Sequence, residues 1–355
     1  MSLDISTELQ KQLEHAFDND ISVNIKGYNS KAFYGRRTES SPQALETKQH
    51  SGIIDYQPTE LVITARCGTP LEKINSMLAK ENQMLAFEPP MFNQQGSIGG
   101  MIASGLSGPA RPYAGAVRDA VLGITCLNGK AEKLVYGGQV MKNVAGYDIS
   151  RLMTGSMGTL GVILDASIKV MPKPETELTL KFEKDAVQAS QFWLKLGRQA
   201  LPISASCHID NTLYVRLSGN TAAVKHAADI IGGDAADDAN NFWQALRHHQ
   251  LDFFNDSRPL WRLSLAATTV PLNLAGDTLT DWTGAQRWIK TDESAEVIRA
   301  LCEEHGGHAT LFNPADNSIE AFHPLAAGIT KLHQQLKQAF DPAGILNPKR
   351  LSPEF

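Results

Sequence analysis

The chain has 355 residues, a net charge of −5, and ordinary proportions of hydrophobic (42%) and charged (20%) residues. That size suits one large domain or two medium ones with ample core. The acidic balance excludes a general nucleic-acid binder, which needs a basic face, and no apolar run approaches the roughly 20 residues of a membrane helix. The N-terminus MSLDISTELQ has neither the basic nor the apolar region of a signal peptide. Cys67, Cys126, Cys207 and Cys302 form no CxxC or Cys/His cluster, so free thiols in a cytoplasmic protein without a metal site are expected.

Leu9, Leu13 and Phe17 recur at four-residue spacing and predict a helix over 5–18. SVNIKG predicts a strand, and the turn-rich run KGYNSKAFYG follows. GIIDY and ELVITARCG predict strands around a Pro58-Thr59 turn. LEKINSMLAKEN predicts an amphipathic helix with Leu71, Ile74, Met77 and Leu78 on one face, opened by Thr69 as N-cap and Pro70 in the first turn. These strands and this helix are expected to form a small first half of the N-terminal domain.

The stretch from Pro89 to Pro174 holds three glycine-rich turns: Gly96 to Gly100, Gly105 to Gly108, and Gly155 to Gly161. VLGITCL and GVILDASIKV predict strands between and after them, and NGKAEKL a hairpin with Asn128-Gly129 as its turn signal. Such turns let a ligand lie along backbone N–H groups. Gly155, Gly158 and Gly161 come near the dinucleotide fingerprint, but a helix (DISRLMTGS) precedes them and a strand follows, the reverse of the required order. No P-loop occurs either, so a bound nucleotide needs another fold.

Beyond Pro172 and Pro174, ELTLKFE, DAVQASQFWLKLGRQ, ISASCHID, NTLYVRLSG and TAAVKHAADII give the order β-α-β-β-α, with a hairpin around Asp210-Asn211; this is ferredoxin-like. GGDAADDAN predicts an acidic, solvated turn and NFWQALRHHQ a helix. PLWRLSLA and GAQRWIK predict strands, DESAEVIRALCEEHGG a helix, GGHATLF a strand and PLAAGITKLHQQLKQAF the last helix. Alternation places Arg262 and Arg287 on one sheet face, where their guanidinium groups suit a carboxylate or a plain Arg–Trp stack.

SIGGM-A-G, VRDAVLG and GYDISRLMTGSMGTLGVILDASIKVMPKP resemble the FAD-binding domain of vanillyl-alcohol-oxidase (PCMH-type) flavoproteins, in the branch of glycolate and D-lactate oxidoreductases. FDPAGILNPK resembles the tail of that branch. The resemblance implies an α+β fold: a two-part FAD-binding domain over 1–174, a reduced ferredoxin-like cap over 175–337, and a tail over 338–355 that returns to the FAD domain. It assigns the pyrophosphate to the turn of Gly27, Tyr28, Asn29, Ser30, Lys31 and Ala32. Gly96, Ser97, Ile98, Gly99 and Gly100 are assigned to pyrophosphate or ring, and Ala103 and Ser104 to the ribityl chain. Gly146, Tyr147, Gly158, Gly161 and Val162 are assigned to adenine and ribose. Arg118 supports the flavin or else pairs with Asp119 at the surface. No histidine lies between Lys26 and Gly35, so FAD should be non-covalent.

Oxidising a 2-hydroxy acid needs a carboxylate grip and a base, and histidine is the natural base. His305 and His308 are candidates, His308 the better, in a run that loosely resembles an E-H-G-x-G element; the histidine-rich partner run of catalytic relatives is absent. The resemblance therefore implies an FAD-binding subunit of a complex that converts glycolate to glyoxylate, with a second flavoprotein subunit and an iron–sulfur subunit as partners, cytoplasmic and at most peripheral to the inner membrane. The alternatives are a self-sufficient D-2-hydroxy-acid dehydrogenase and a structural subunit with an empty flavin site.

Overall fold

The computed structural model describes residues 3–37, 43–92, 96–138 and 148–354. The N-terminal part has two layers of unequal size. In the smaller, α1 (Ser6–Asp18) covers the parallel pair β1 (Val23–Lys26) and β2 (Gln43–Glu46). The four-residue spacing seen in the sequence becomes a buried stripe, with Leu9, Leu13 and Ala16 packed on Val23, Leu45, Leu127 and Val162. The larger layer is an antiparallel sheet ordered β3-β4-β7-β5-β6, from β3 (Ile53–Gln57), β4 (Val62–Arg66), β5 (Val121–Leu127), β6 (Lys133–Gly137) and β7 (Val162–Lys169). Helices α2 (Leu71–Lys80) and α3 (Ile98–Ser104) bury Leu71, Ile74, Leu78, Ile98, Met101 and Ile102 against it.

This corrects one expectation. β3, β4 and α2 do not form a separate first half, because β4 pairs with β7 over Val62↔Lys169 to Arg66↔Asp165 and joins the larger sheet. Nor does Thr69 cap α2. Pro70 occupies the cap position, while the Thr69 hydroxyl accepts from Gly52 N–H at 2.9 Å and donates to Gly52 C=O at 3.1 Å.

The second unit is an eight-stranded antiparallel sheet. Its elements are β8 (Thr176–Glu183), α4 (Ala186–Leu196), β9 (Ile203–Ile209), β10 (Thr212–Gly219), α5 (Thr221–Ile231), α6 (Ala239–His248), β11 (Leu260–Ser264), β12 (Asp277–Asp281), β13 (Gln286–Lys290), α7 (Ala295–Glu304), β14 (His308–Leu311) and α8 (Ala327–Phe340). The strand order is Asp234–Ala235, β8, β10, β9, β12, β13, β11, β14. The first four strands have the 4-1-3-2 order of a ferredoxin-like half, and the edge pair lies in the stretch expected to be a plain acidic turn. Asp210 and Asn211 both take positive φ, 49° and 56°, as a two-residue hairpin demands. One sheet face packs under α4, α5 and α7. The other faces the N-terminal part across Phe92, Leu106, Trp288 and Phe312.

After α8 the chain returns to the smaller layer. Val23 N–H donates to Ile345 C=O at 2.8 Å and Asn347 N–H to Val23 C=O at 3.0 Å, so the tail lies parallel beside β1. Buried Lys337 ties this return to the N-terminal part through Thr159 C=O, the Asp341 carboxylate and Leu346 C=O, at 2.7–2.9 Å.

Candidate functional site

Between β1, α3 and the tail lies a cavity of about 370 Å³, within the roughly 300–1,000 Å³ of small-molecule sites. Its wall begins with the turn after β1. Asn29 takes φ +62°, and the backbone N–H groups of Tyr28, Asn29, Ser30 and Lys31 find no partner among the described residues. Four consecutive free donors on a turn form an anion-binding concavity. Arg350 holds the other side of this turn: its Nη1 donates to Arg36 C=O at 2.5 Å, and its Nη2 to Tyr34 C=O at 2.6 Å and Ala32 C=O at 3.0 Å. Lys31 also lines the cavity, and burial pushes its ammonium down to about 8.

The opposite wall is the start of α3. The Ser97 hydroxyl accepts from Gly100 N–H at 3.2 Å, and a Cβ at Gly100 would meet only that oxygen, at 3.3 Å, and otherwise open space. Ala103, Ser104 and Met157 continue the wall. The loop carrying Met157 is fixed by Gly155 N–H to Ile102 C=O and Met157 N–H to Ala103 C=O, both 2.9 Å. In it the buried hydroxyls of Thr154 and Ser156 have no hydrogen-bond partner among the described residues. Asn347 closes the floor, accepting from Ile25 N–H at 2.8 Å and donating to Met157 C=O at 2.7 Å. Free N–H donors, a lysine ammonium and open glycine backbone fit the diphosphate of a dinucleotide.

The structure thus brings together Gly27, Tyr28, Asn29, Ser30, Lys31, Ala32, Ser97, Gly100, Ala103 and Ser104. Other predicted residues lie elsewhere. Ile98 and Gly99 spend their N–H groups on Thr69 C=O (3.1 Å) and Cys67 C=O (2.8 Å), and a Cβ at Gly99 would stand 2.8 Å from that of Cys67. Gly96 accepts from Leu71 N–H and sits just behind the wall, with Lys31 Nζ 3.7 Å from an added Cβ. Gly158 packs on Asn347, and Gly161 on the Leu127 carbonyl, while Val162 is buried in the α1 core. Arg118 is exposed and pairs with Asp119 at 3.8 Å. Gly146 and Tyr147 lie outside the described residues. Sequence reasoning missed Asn24, Ile25, Arg37 and Arg350 as lining residues; Lys26, Met157 and Asn347 stood inside quoted motifs without being assigned.

The predicted catalytic residues do not converge. β11 and β13 pair as Arg262↔Trp288 and Leu263↔Arg287, and directly paired residues share a face, so Arg262 and Arg287 point to opposite faces. This overturns the expectation that they share one. Arg262 faces the N-terminal part, donating to the Tyr34 hydroxyl at 3.0 Å. His308 is on Arg262's face, since β14 pairs as Thr310↔Arg262 and His308↔Ser264. Burial and Arg262 lower the His308 pKa, and its ring stands 6.3 Å from that of His323. Arg287 lies on the far face, donating to the carbonyls of Gly284 (3.2 Å), Val270 (2.7 Å) and Thr269.

Around Arg262 the seam between the two units is packed with rings. His249 stacks on Phe254 at 4.1 Å and meets Trp288 edge-on at 4.6 Å; Phe33, Phe92 and Phe312 adjoin. Burial and Arg262 push the His249 pKa down to about 3, keeping the ring neutral. Beside Arg262 and His249 the described residues leave a cavity of about 20 Å³, lined also by Asp281 and Gln286, room for about one water; farther along the seam a larger cavity of about 1120 Å³ lies among Glu88, Tyr113, Arg216 and Arg247.

A model of the FAD binding domain matches residues 5–135, which include the turn after β1 and the start of α3. The glycolate oxidase subunit GlcD of Bacillus subtilis (strain 168) is 34% identical over 134 residues, 38% of this chain and 28% of its own. Alkyldihydroxyacetonephosphate synthase shares the fold, with a TM-score of 0.68 at 14% identity, covering 97% of this chain and 74% of that one. Over 352 residues, 99% of each chain, the sequence is 45% identical to the glycolate oxidase subunit GlcE of Escherichia coli (strain K12). The chain therefore belongs to the family of glycolate oxidase subunit GlcE, an FAD-binding family.

Proposed function

We propose that this chain is the FAD-holding subunit of a glycolate-oxidising complex, which converts glycolate to glyoxylate only together with a second flavoprotein subunit and an iron–sulfur subunit. The observation that carries the reading is the row of N–H groups from Tyr28 to Lys31 without partners among the described residues, on a turn held by Arg350 and lining a cavity whose opposite wall is Gly100. In this reading residues 1–174 with 338–355 form the FAD-binding domain and 175–337 the cap. Any link to a membrane comes through the partners: no helix among the described residues is long and apolar enough to cross one.

The residues take the following roles. Tyr28, Asn29, Ser30 and Lys31 hold the diphosphate, and Gly100 admits it. Ala103, Ser104 and Met157 line the path of the ribityl chain, and Asn347 fixes β1 to the Met157 loop. FAD contributes a two-electron acceptor. Neither histidine nor cysteine lines the cavity among the described residues, which supports a non-covalent cofactor. Dependence on partners is supported by the ring-filled seam: Arg262 and His249 are present there, but glycolate has no room beside them.

The test is to purify the chain, precipitate it with acid and assay it with glycolate and an artificial acceptor, alone and with the partner subunits. FAD in the supernatant, with turnover only in the complex, is expected. Robust turnover by the chain alone, abolished by His308→Ala, would establish a self-sufficient dehydrogenase instead. A colourless chain that takes up no FAD would indicate the structural subunit.

A further inference from the structure

On the sheet face turned away from the flavin cavity, another cavity, of about 180 Å³, opens between α4 and strands β12 and β13. Arg287 lines it. The residue is 8% exposed, and among the described residues its guanidinium is bound to the carbonyls of Gly284, Val270 and Thr269. No acidic side chain lines this cavity among the described residues. A buried cation without a counter-ion is costly, and three of its five N–H donors are used, so two remain.

Other donors line the same cavity. Thr280 pairs directly with Arg287 across β12 and β13 and shares its face. Trp193 and Ser190, one helical turn apart on α4, close the far side. Trp193 packs over Gly284, a Cβ there standing 3.6 Å from its ring, and Gly284 C=O is the one Arg287 Nε holds at 3.2 Å. The Trp193 indole N–H is buried and has no partner among the described residues. Leu263, Leu272 and Ile289 supply an apolar wall.

We propose that this cavity binds a short-chain monocarboxylate. The carboxylate accepts from Arg287 and the Trp193 N–H, and its one to three carbons face Leu263 and Ile289. The volume lies below the roughly 300–1,000 Å³ of drug-sized pockets, which limits the ligand to a few heavy atoms. The site is separate from the flavin cavity and independent of which subunit oxidises substrate.

Calorimetric titration of the FAD-loaded chain with acetate, glycolate and uncharged glycolamide tests the proposal. Saturable binding of both acids is expected, with a dissociation constant on the order of 1 mM, and none of glycolamide. Trp193→Phe keeps an aromatic ring but loses the five-membered ring with its N–H and should weaken binding about tenfold. Ser190→Leu fills the cavity from a half-buried position on α4 and should abolish it. Flavin content, read by absorbance in the same samples, should not change in either variant. Absence of acid binding by the parent, equal binding by both variants, or equal binding of glycolamide overturns the assignment.

Discussion

Two glycines one residue apart do different work. Gly100 opens on the flavin cavity, whereas Gly99 abuts Cys67. Gly100→Leu should therefore cut flavin occupancy with little change in melting temperature. Gly99→Leu should cost about 1–3 kcal/mol of stability or more through overpacking and so lower the melting temperature; absorbance and calorimetry separate the two. Lys31 carries a pH signature. Its ammonium, normally near 10.5, sits at about 8 in the free chain. Below pH 8 it is already charged and ready for a diphosphate; above pH 8 binding requires proton uptake, so FAD affinity should fall as pH rises. The unliganded chain gains stability from about pH 8 to 10.5, because the unfolded chain keeps the proton there. Lys31→Met should weaken FAD by about tenfold to a hundredfold and flatten this profile, as equilibrium titration across pH 6–9.5 would show.

At the scale of elements, what local pattern specifies was legible and what distant contacts specify was not. The β5 strand VLGITCL and the helix TAAVKHAADII fall where the sequence pattern puts them. The Arg262–Arg287 relation failed because register depends on the partner strand, and a one-residue offset reverses the face. Thr69 failed as a cap because Gly52, 17 residues away, offers it two bonds. The turn Gly27 to Ala32 was found by resemblance, but nothing local marks Arg350 as the group that fixes it from 314–319 residues away. Asn347 is the testable joint of this arrangement. Asn347→Leu orphans the buried Met157 C=O, costing about 1–3 kcal/mol, and removes the partner of the half-buried Ile25 N–H, and should lower both melting temperature and flavin retention.

For the whole molecule, the seam between the two units is a pH-sensitive contact. Asp281 is buried there, with Trp282 N–H donating to it at 2.7 Å and Glu88 nearby, and burial raises its pKa to about 7 against the usual 3.8. Between those values the folded chain holds a proton that the unfolded chain has released, so stability should fall as pH rises from about 4 to 7 and stay low above it. Asp281→Asn should raise the melting temperature at pH 8 and change it little at pH 4. Across the same seam Glu88 pairs with Arg216 at 2.8 Å, so the two units are held together by an ion pair as well as by rings.

The parallel run of the tail beside β1 has a consequence for synthesis. Ile25 and Asn347 are 322 positions apart, yet one side chain joins them at the floor of the flavin cavity. A ribosome adds about 5–20 residues per second, so some tens of seconds pass between the emergence of β1 and that of its last neighbour. During that interval the nascent chain carries Leu9, Leu13 and Val23 without Ile345 and Leu346 to cover them. The flavin cavity is thus completed only after translation of the tail, and a chain stalled before residue 345 should capture no FAD, making flavin colour a report on full-length synthesis.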